Sequence, residues 1–432
     1  MDVLQIIPTY IINLKDRKDR KKHIFKEFAL KNEFNVKMIE PIKHGIGAIS
    51  LWTTVKFILQ DLVDDKDNYI LICEDDHKFT HSYNMKFLFD NIKIAESLNA
   101  DLLVGGVSSL TSLIQVSKNL YWVEKFSGLQ FTIIFRKFFN HIFEADFDQT
   151  DAADYKMCSL TDHKFFIYPF ISIQKDFGYS DATPKNNSKG CVKNLFKQSN
   201  EKVKLLKEVS SFYKKYKLEI GVTNDKSWDN IMIPTYVINL RADLKSHIQK
   251  QFEGRSEFDL MIIESCKHKI KTIELWLSIR KIIEMAIKNK DDVIIICDPT
   301  HEFTSHYTKR FLIQNIIEAH EQYADYLCGG INGFETALPI ANSRFWINQI
   351  LSTQFMIIYK KFFKRILNAP FHDDVISNLL LSELATNKMV IYPFISIQMR
   401  LGDSNQRFSN DKIMKTIERL EVIQKIYSIF GQ

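Results

Sequence analysis

A chain of 432 residues exceeds one typical domain, and 45% hydrophobic residues with 33 Phe, 16 Tyr and 5 Trp require an interior, which excludes a disordered or collagen-like chain. Lys and Arg number 58 against 52 Asp and Glu, and the resulting +6 suits a phosphate-bearing ligand or an anionic membrane surface without choosing between them. Six cysteines form no C-x-x-C pair, so no zinc site or disulfide framework is expected and they read as reduced, mostly buried thiols.

In chain order, VLQIIPTYIINL predicts a buried strand, followed by a helix through RKDRKKHIFKEFALK with Asp16 as its cap. HGIGAISLW marks a turn that opens a helix through ISLWTTVKFILQDLV. NYILIC then predicts a strand, MKFLFDNIKIAESL a helix, and ADLLVGG a strand entering a glycine turn. YWVEKF, LQFTIIF and FFIYPFISIQ follow as strands, with RKFFNHIFEA and DAADYKMCSL as helices among them. Such alternation predicts an α/β fold, a mostly parallel sheet flanked by helices. The apolar stretches are strand-sized and the start lacks a signal peptide's basic region and cleavage site, so a cytoplasmic protein without a transmembrane segment is expected.

The chain also repeats itself. PTYIINL (from Pro8) returns as PTYVINL (from Pro234), IYPFISIQ (from Ile167) returns unchanged from Ile391, and the segments between keep their order. The offset is 224 residues from Ile39 to Gln174 and 226 at the first strand, so the second copy lacks two residues just after its INL. Units this long indicate tandem duplication of a domain, which predicts domains at 1–183 and 231–432 joined by a loop and basic helix over 184–230. The lysines of that linker read as a solvated helix face, with peripheral docking on a membrane or acidic partner as the alternative.

Chemistry concentrates where the strand Tyr69 to Cys73 runs into Glu74, Asp75 and Asp76. Alternation along extended chain sends Glu74 and Asp76 one way and Asp75 the other, at the strand end where open α/β sheets bind ligands. Acids this close call for a cation or a basic group, and all-oxygen ligation suits Mg2+ or Mn2+; a solvated acidic loop is the alternative. Arg17 and Arg20, three apart at a helix start, reach one side, where guanidinium groups and helix amides suit phosphate oxygens; a solvated basic face is the alternative. His77 recurs as His301, so it is expected to pack beneath the turn and not to ligate metal.

The ordered set INL-x-x-R-x-x-R, the HGIGAISLW segment, a strand ending EDD, LQFTIIFRKFF, DQTDAADY and YPFISIQKDFGYSD resembles glycosyltransferase family 25, whose members include lipopolysaccharide and collagen sugar transferases. The likeness spans residues 5–182; Ala48, Ser50 and Leu51 stand where the family has Cys-x-x-Ser-His. It implies a GT-A (Rossmann-type) fold, an inverting transfer and a nucleotide-sugar donor, commonly a UDP-hexose with Mn2+. Carried over residue by residue, Glu74 and Asp76 would organise the metal, Asp75 the donor sugar or ribose, and Arg17 and Arg20 the nucleotide. The base taking the acceptor hydroxyl's proton would be Asp151 or Asp154, with Asp151 ahead and a helix cap and exposed helix acid as the alternative; Gln174 and Asp181 are further donor-side candidates.

In the second copy Glu74, Asp75 and Asp76 become Asp298, Pro299 and Thr300, the Arg-x-x-Arg arrangement is deleted to RADLKSH, and Asp151 and Asp154 fall opposite Val375 and Asn378. A pseudoenzyme domain serving acceptor binding or homodimer assembly is expected there, with His372, Asp373 and Asp374 as a polar cluster that leaves room for a second chemistry. The acceptor would be a saccharide, a peptide or a lipid-linked sugar. The rival class is a non-catalytic sugar- or peptide-binding protein with a vestigial EDD. A nucleic-acid partner is not expected, because the lysine run lacks interleaved aromatics.

Overall fold

The computed structural model describes residues 6–179, 188, 190–215, 228, 230–239, 244–350, 354–370, 377–399 and 404–431. The chain divides into two compact units, Met1–Glu208 with Ile426–Gln432, and Val209–Lys425.

The first unit starts with β1 (Ile7–Ile12), α1 (Lys18–Phe28), β2 (Phe34–Ile39), α2 (Gly47–Phe57), β3 (Tyr69–Glu74), β4 (His77–Phe79), α3 (Met85–Ser97) and β5 (Leu102–Val104). Short strands β6 (Ser109–Leu110), β7 (Leu113–Gln115), β8 (Leu120–Val123) and β9 (Phe126–Ser127) lead to β10 (Phe131–Phe135), α4 (Phe139–Glu144), α5 (Ala153–Ser159), β11 (Lys164–Ile167), β12 (Ser172–Gln174) and α6 (Cys191–Lys215). Eight strands form one sheet in the order β2-β1-β3-β10-β5-β11-β8-β7. β1 is parallel to β2 and β3, and β5 to β11, whereas β10 and β8 run antiparallel to their neighbours. The expected α/β architecture is present, but the sheet is mixed and not mostly parallel. No helix intervenes between β5 and β10, and parallel pairing needs crossovers that this stretch of hairpins does not supply.

α1 begins at Lys18 with Arg17 at its cap and no side-chain cap bond, so Asp16 does not cap it; Asp16 contributes only its carbonyl, to the Lys18 amide at 3.0 Å. The LLVGG motif has a packing cause. Amides of Ile171 and Ser172 donate to the Gly105 carbonyl at 2.8 and 3.1 Å, and a Cβ on Gly106 would lie 2.0 Å from the Ser172 carbonyl oxygen. That approach aligns β12 against β4 and so places Gln174 opposite His77, beside the acid turn.

The second unit repeats the plan with β13 (Ile233–Asn239), β14 (Phe258–Glu264), β15 (Val293–Cys297), β16 (His301–Phe303), β17 (Tyr326–Cys328), β18 (Ala337–Ala341), β19 (Arg344–Ile347), β20 (Phe355–Tyr359), β21 (Lys388–Ile391) and β22 (Ser396–Gln398). Its sheet, β14-β13-β15-β20-β17-β21-β19-β18, matches the first strand for strand, and β16 pairs with β22 as β4 does with β12. Gly330 meets the Ser396 carbonyl as Gly106 meets that of Ser172. α6 buries Phe196, Val203, Leu206 and Tyr213 while Lys193, Lys197, Lys204, Lys214 and Lys215 are exposed, as a solvated basic face requires. All six cysteines are free thiols, and among the described residues no helix is long and apolar enough to cross a membrane.

His77 and His301 pack beneath their turns. Nδ1 of His77 lies 2.8 Å from Ser172 Oγ and Nδ1 of His301 2.7 Å from Ser396 Oγ, with each ring edge-on to a phenylalanine (Phe79, Phe303) at 4.3 Å. Burial pushes both imidazoles down, that of His301 to about 3, helped by nearby His247 and Arg255. The folded chain therefore keeps them neutral where the unfolded chain takes up protons. Their contribution to stability is full above about pH 6.5 and falls as the pH drops below it, by about 1.4 kcal/mol per unit for each histidine, while the raised pKa values of Glu74 and Asp76 work in the opposite sense. On acidification below about pH 6.5 the urea midpoint of the wild type should fall relative to that of His301→Gln; equal pH dependence in the two would contradict this.

Candidate active site

The acids do not alternate as the extended-chain expectation had it. Pairing of β3 stops at Glu74, and Asp75 and Asp76 form the turn into β4, so the backbone reverses where alternation would have separated them. Both turn acids meet one guanidinium: Arg20 Nη1 lies 3.0 Å from Asp75 Oδ1 and 3.1 Å from Asp76 Oδ2. Arg20 Nη2 donates to the Tyr179 carbonyl at 2.6 Å, and its guanidinium sits over the rings of Tyr179 and Phe177 at 4.5 and 4.9 Å. Burial works against that charge, but Asp76 and Asp75 more than offset it and raise the pKa of Arg20. Asp75 also accepts from Asn13 Nδ2 at 2.8 Å and pairs with Arg17 Nη1 at 3.5 Å.

Glu74 leaves β3 on its own side and accepts from Gln174 Nε2 at 3.1 Å. Burial, then the charges of Asp76, Asp75 and Asp154, raise its pKa. Burial likewise raises that of Asp76 against the pull of Arg20, and Asp76 Oδ1 is buried without a partner. Among the described residues no three His, Cys, Asp or Glu side chains converge as a metal-ligand group.

The two candidate bases separate. Asp154 stands in the first turn of α5 and is half-buried; its Oδ2 accepts the Gly128 amide at 3.1 Å and its Oδ1 that of Tyr155 at 2.9 Å. Burial raises its pKa. Gly128 holds φ +105°, and a Cβ there would meet Gln130 Oε1 at 2.7 Å, so only glycine delivers that amide without strain. Asp151, placed ahead by sequence, precedes the helix, pairs with Lys156 at 3.1 Å and lies outside the cavity lining.

A cavity of about 580 Å3 brings together Arg17, Arg20, Glu74, Asp76, Asp154 and Gln174. Asp75 and the motif residues Ala48, Ser50 and Leu51 also line it, whereas Asp181 lies outside the described residues. Sequence reasoning missed Asn13, Phe177 and Tyr179, which hold the arginine pair, and three serines, Ser108, Ser109 and Ser127, on the cavity wall. Comparison of the copies carries the signal for several of them. At the shared offset of 224, Ser108, Ser109 and Ser127 become Asn332, Gly333 and Leu351, Gly128 becomes Ser352 and Arg20 becomes Leu244.

In the second unit the turn is self-contained. Asp298 Oδ1 accepts the Thr300 amide at 2.8 Å and the Thr300 hydroxyl, and Leu244 is buried where Arg20 stood. Asn378 has no described side chain, and Val375 with the cluster His372, Asp373 and Asp374 lies outside the described residues.

No protein-family model matches the chain, and no curated protein matches its sequence. Among solved structures it is similar to the apo form of UDP-glucose pyrophosphorylase, at 12% identity and a TM-score of 0.27, covering 46% of this chain and 82% of that one. It is also similar to UDP-glucose pyrophosphorylase complexed with UDP-glucose, at 10% identity and the same TM-score, covering 46% and 81%. The architecture is one of tandem α/β domains on mixed eight-stranded sheets. A likeness this distant assigns no activity.

Proposed function

We propose that the first domain is an inverting glycosyltransferase, which moves a hexose from a nucleotide sugar, UDP being the first nucleotide to test, to an acceptor hydroxyl. The second domain is its pseudoenzyme partner for acceptor binding or homodimer assembly. Its setting is the cytoplasm, and its acceptor a saccharide, peptide or lipid-linked sugar. The observation that carries the reading is coupled loss: the second copy keeps the packing and drops Asp75 together with Arg20, and Gly128 together with Asp154. Pairs that vanish together while the fold persists served the cavity and not the core.

In such a transfer the acceptor oxygen attacks the anomeric carbon, the nucleoside diphosphate departs, and the acceptor proton passes to Asp154, whose half-buried carboxylate is made more basic by partial desolvation. Arg17 faces the diphosphate; Arg20, committed to Asp75 and Asp76, sets the shape of that wall. Glu74 and the unpartnered Asp76 Oδ1 are hard oxygen donors that fit Mg2+ or Mn2+ bound through two carboxylates plus substrate phosphates. A cation bound there would offset charge developing on the leaving diphosphate.

Incubation with a panel of UDP-sugars, with and without Mn2+, across saccharide, peptide and lipid-linked acceptors should release nucleotide detectable by mass spectrometry. Binding of UDP-sugar by calorimetry with no release under any condition would favour the binding-only class. Gly128→Ala should lower transfer about 100-fold by shifting Asp154, with UDP affinity unchanged; undiminished transfer would detach Asp154 from the reaction.

A further inference from the structure

Ser108, Ser109 and Ser127 stand on the cavity wall with Asp154 and Gly128. Two short strands hold them: β6 and β9 pair antiparallel with Ser109 opposite Ser127, and the Ser108 amide donates to the Ser127 carbonyl at 2.9 Å. Ser127 Oγ lies 2.9 Å from Ser108 Oγ and 2.7 Å from Ser109 Oγ, while Ser108 Oγ reaches the Ser127 carbonyl at 3.1 Å. A serine hydroxyl has one proton and two lone pairs, so three hydroxyls bonded to one another and to a carbonyl spend their protons internally and present lone pairs outward.

Their surroundings have the same polarity. Asp154 accepts the Gly128 amide through Oδ2 and keeps acceptor capacity beyond that bond, and Gln130 Oε1, buried without a partner behind the lining, lies beside Gly128 and Ser108. The cationic side chains of the lining gather at the acid turn instead: Arg17 and Arg20 pair with Asp75 and Asp76, and the Lys175 amide donates to the Asp76 carbonyl at 2.7 Å. A wall of acceptors is matched by a ligand rich in O–H donors and repels an anionic one. Packing does not demand the trio, since the second copy carries Asn332, Gly333 and Leu351 at these positions.

We propose that Ser108, Ser109 and Ser127 form the subsite that grips the transferred sugar by its hydroxyls, and that they set a preference for neutral over acidic sugars. The proposal rests on the nucleotide-sugar reading of the cavity and goes beyond it by assigning the residues that select the sugar.

Calorimetry with UDP, UDP-glucose, UDP-galactose and UDP-glucuronate tests it on the full chain, with Ser109→Ala/Ser127→Ala and the milder single Ser127→Ala as variants and thermal midpoints as the folding check. The wild type should bind at least one neutral donor about tenfold more tightly than UDP, and UDP-glucuronate no more tightly than UDP. The double variant should lose that increment while UDP affinity holds, and the single variant should lose part of it. An increment that survives both substitutions, equal affinity for the uronate, or a variant in which UDP and UDP-hexose weaken together overturns the subsite. Absence of UDP binding to the wild type overturns the nucleotide-sugar reading and the subsite with it.

Discussion

Asp154→Asn should lower sugar transfer by about 100- to 10,000-fold, the range for removing a general base, with UDP-sugar affinity within about twofold of wild type. Asparagine is the residue the second copy carries at this position, Asn378, so the substitution has a precedent in the same fold. It keeps the shape and one acceptor for the amides of Gly128 and Tyr155 but cannot take a proton. Asp151→Asn is the matched control: that side chain is paired with Lys156 outside the cavity, and its replacement should change the rate less than about threefold, in keeping with a surface ion pair. The pH profile gives a second readout. Burial raises the Asp154 pKa, so the rate should fall on the acid side at a pH above the usual aspartate range. An inactive Asp151→Asn beside an active Asp154→Asn would reverse the assignment.

What was legible in the sequence was what repeats or alternates. Apolar runs such as Tyr69 to Cys73 became strands, the shared motifs became matching sheets, and the EDD turn fell at the strand end where ligand sites form. Three things depended on where regularity stops. Asp75 was assigned a face by alternation, but the strand ends one residue before it and the turn hands it to Arg20. Asp151 and Asp154 are three residues apart, and only the start of α5 at Ala153 decides which acid turns inward. Ser109 and Ser127 are 18 positions apart, with β7 and β8 between them, and meet only because β6 pairs with β9. Hydrogen bonds between distant hydroxyls leave no period to read. A residue-by-residue comparison of the two copies does carry part of this, since the changes Gly128 to Ser352 and Asp154 to Asn378 accompany each other.

Arg20→Leu should destabilise the first domain by about 3–5 kcal/mol, the range for breaking a buried ion pair, and should also abolish measurable UDP binding. Leucine fits the space, because Leu244 is buried at the matching position of the second copy. The damage would be electrostatic: Asp75 and Asp76 would lose the guanidinium that lies 3.0 and 3.1 Å away, and of the two cavity arginines only Arg17 would remain against Glu74, Asp75, Asp76 and Asp154. Such a wall repels a diphosphate. Adding Asp75→Asn removes one stranded charge while keeping an acceptor for Asn13, so the double variant should regain a large part of the lost stability. It should not regain wild-type UDP affinity, because one of the two cavity arginines is still missing. Chemical denaturation of the first domain read beside UDP calorimetry separates these effects: stability recovers with the second substitution and binding does not. If Arg20→Leu costs less than about 1 kcal/mol, the pair is not the buried bridge its geometry describes. If the double variant binds UDP as the wild type does, Arg20 serves the fold alone and the phosphate wall belongs to Arg17.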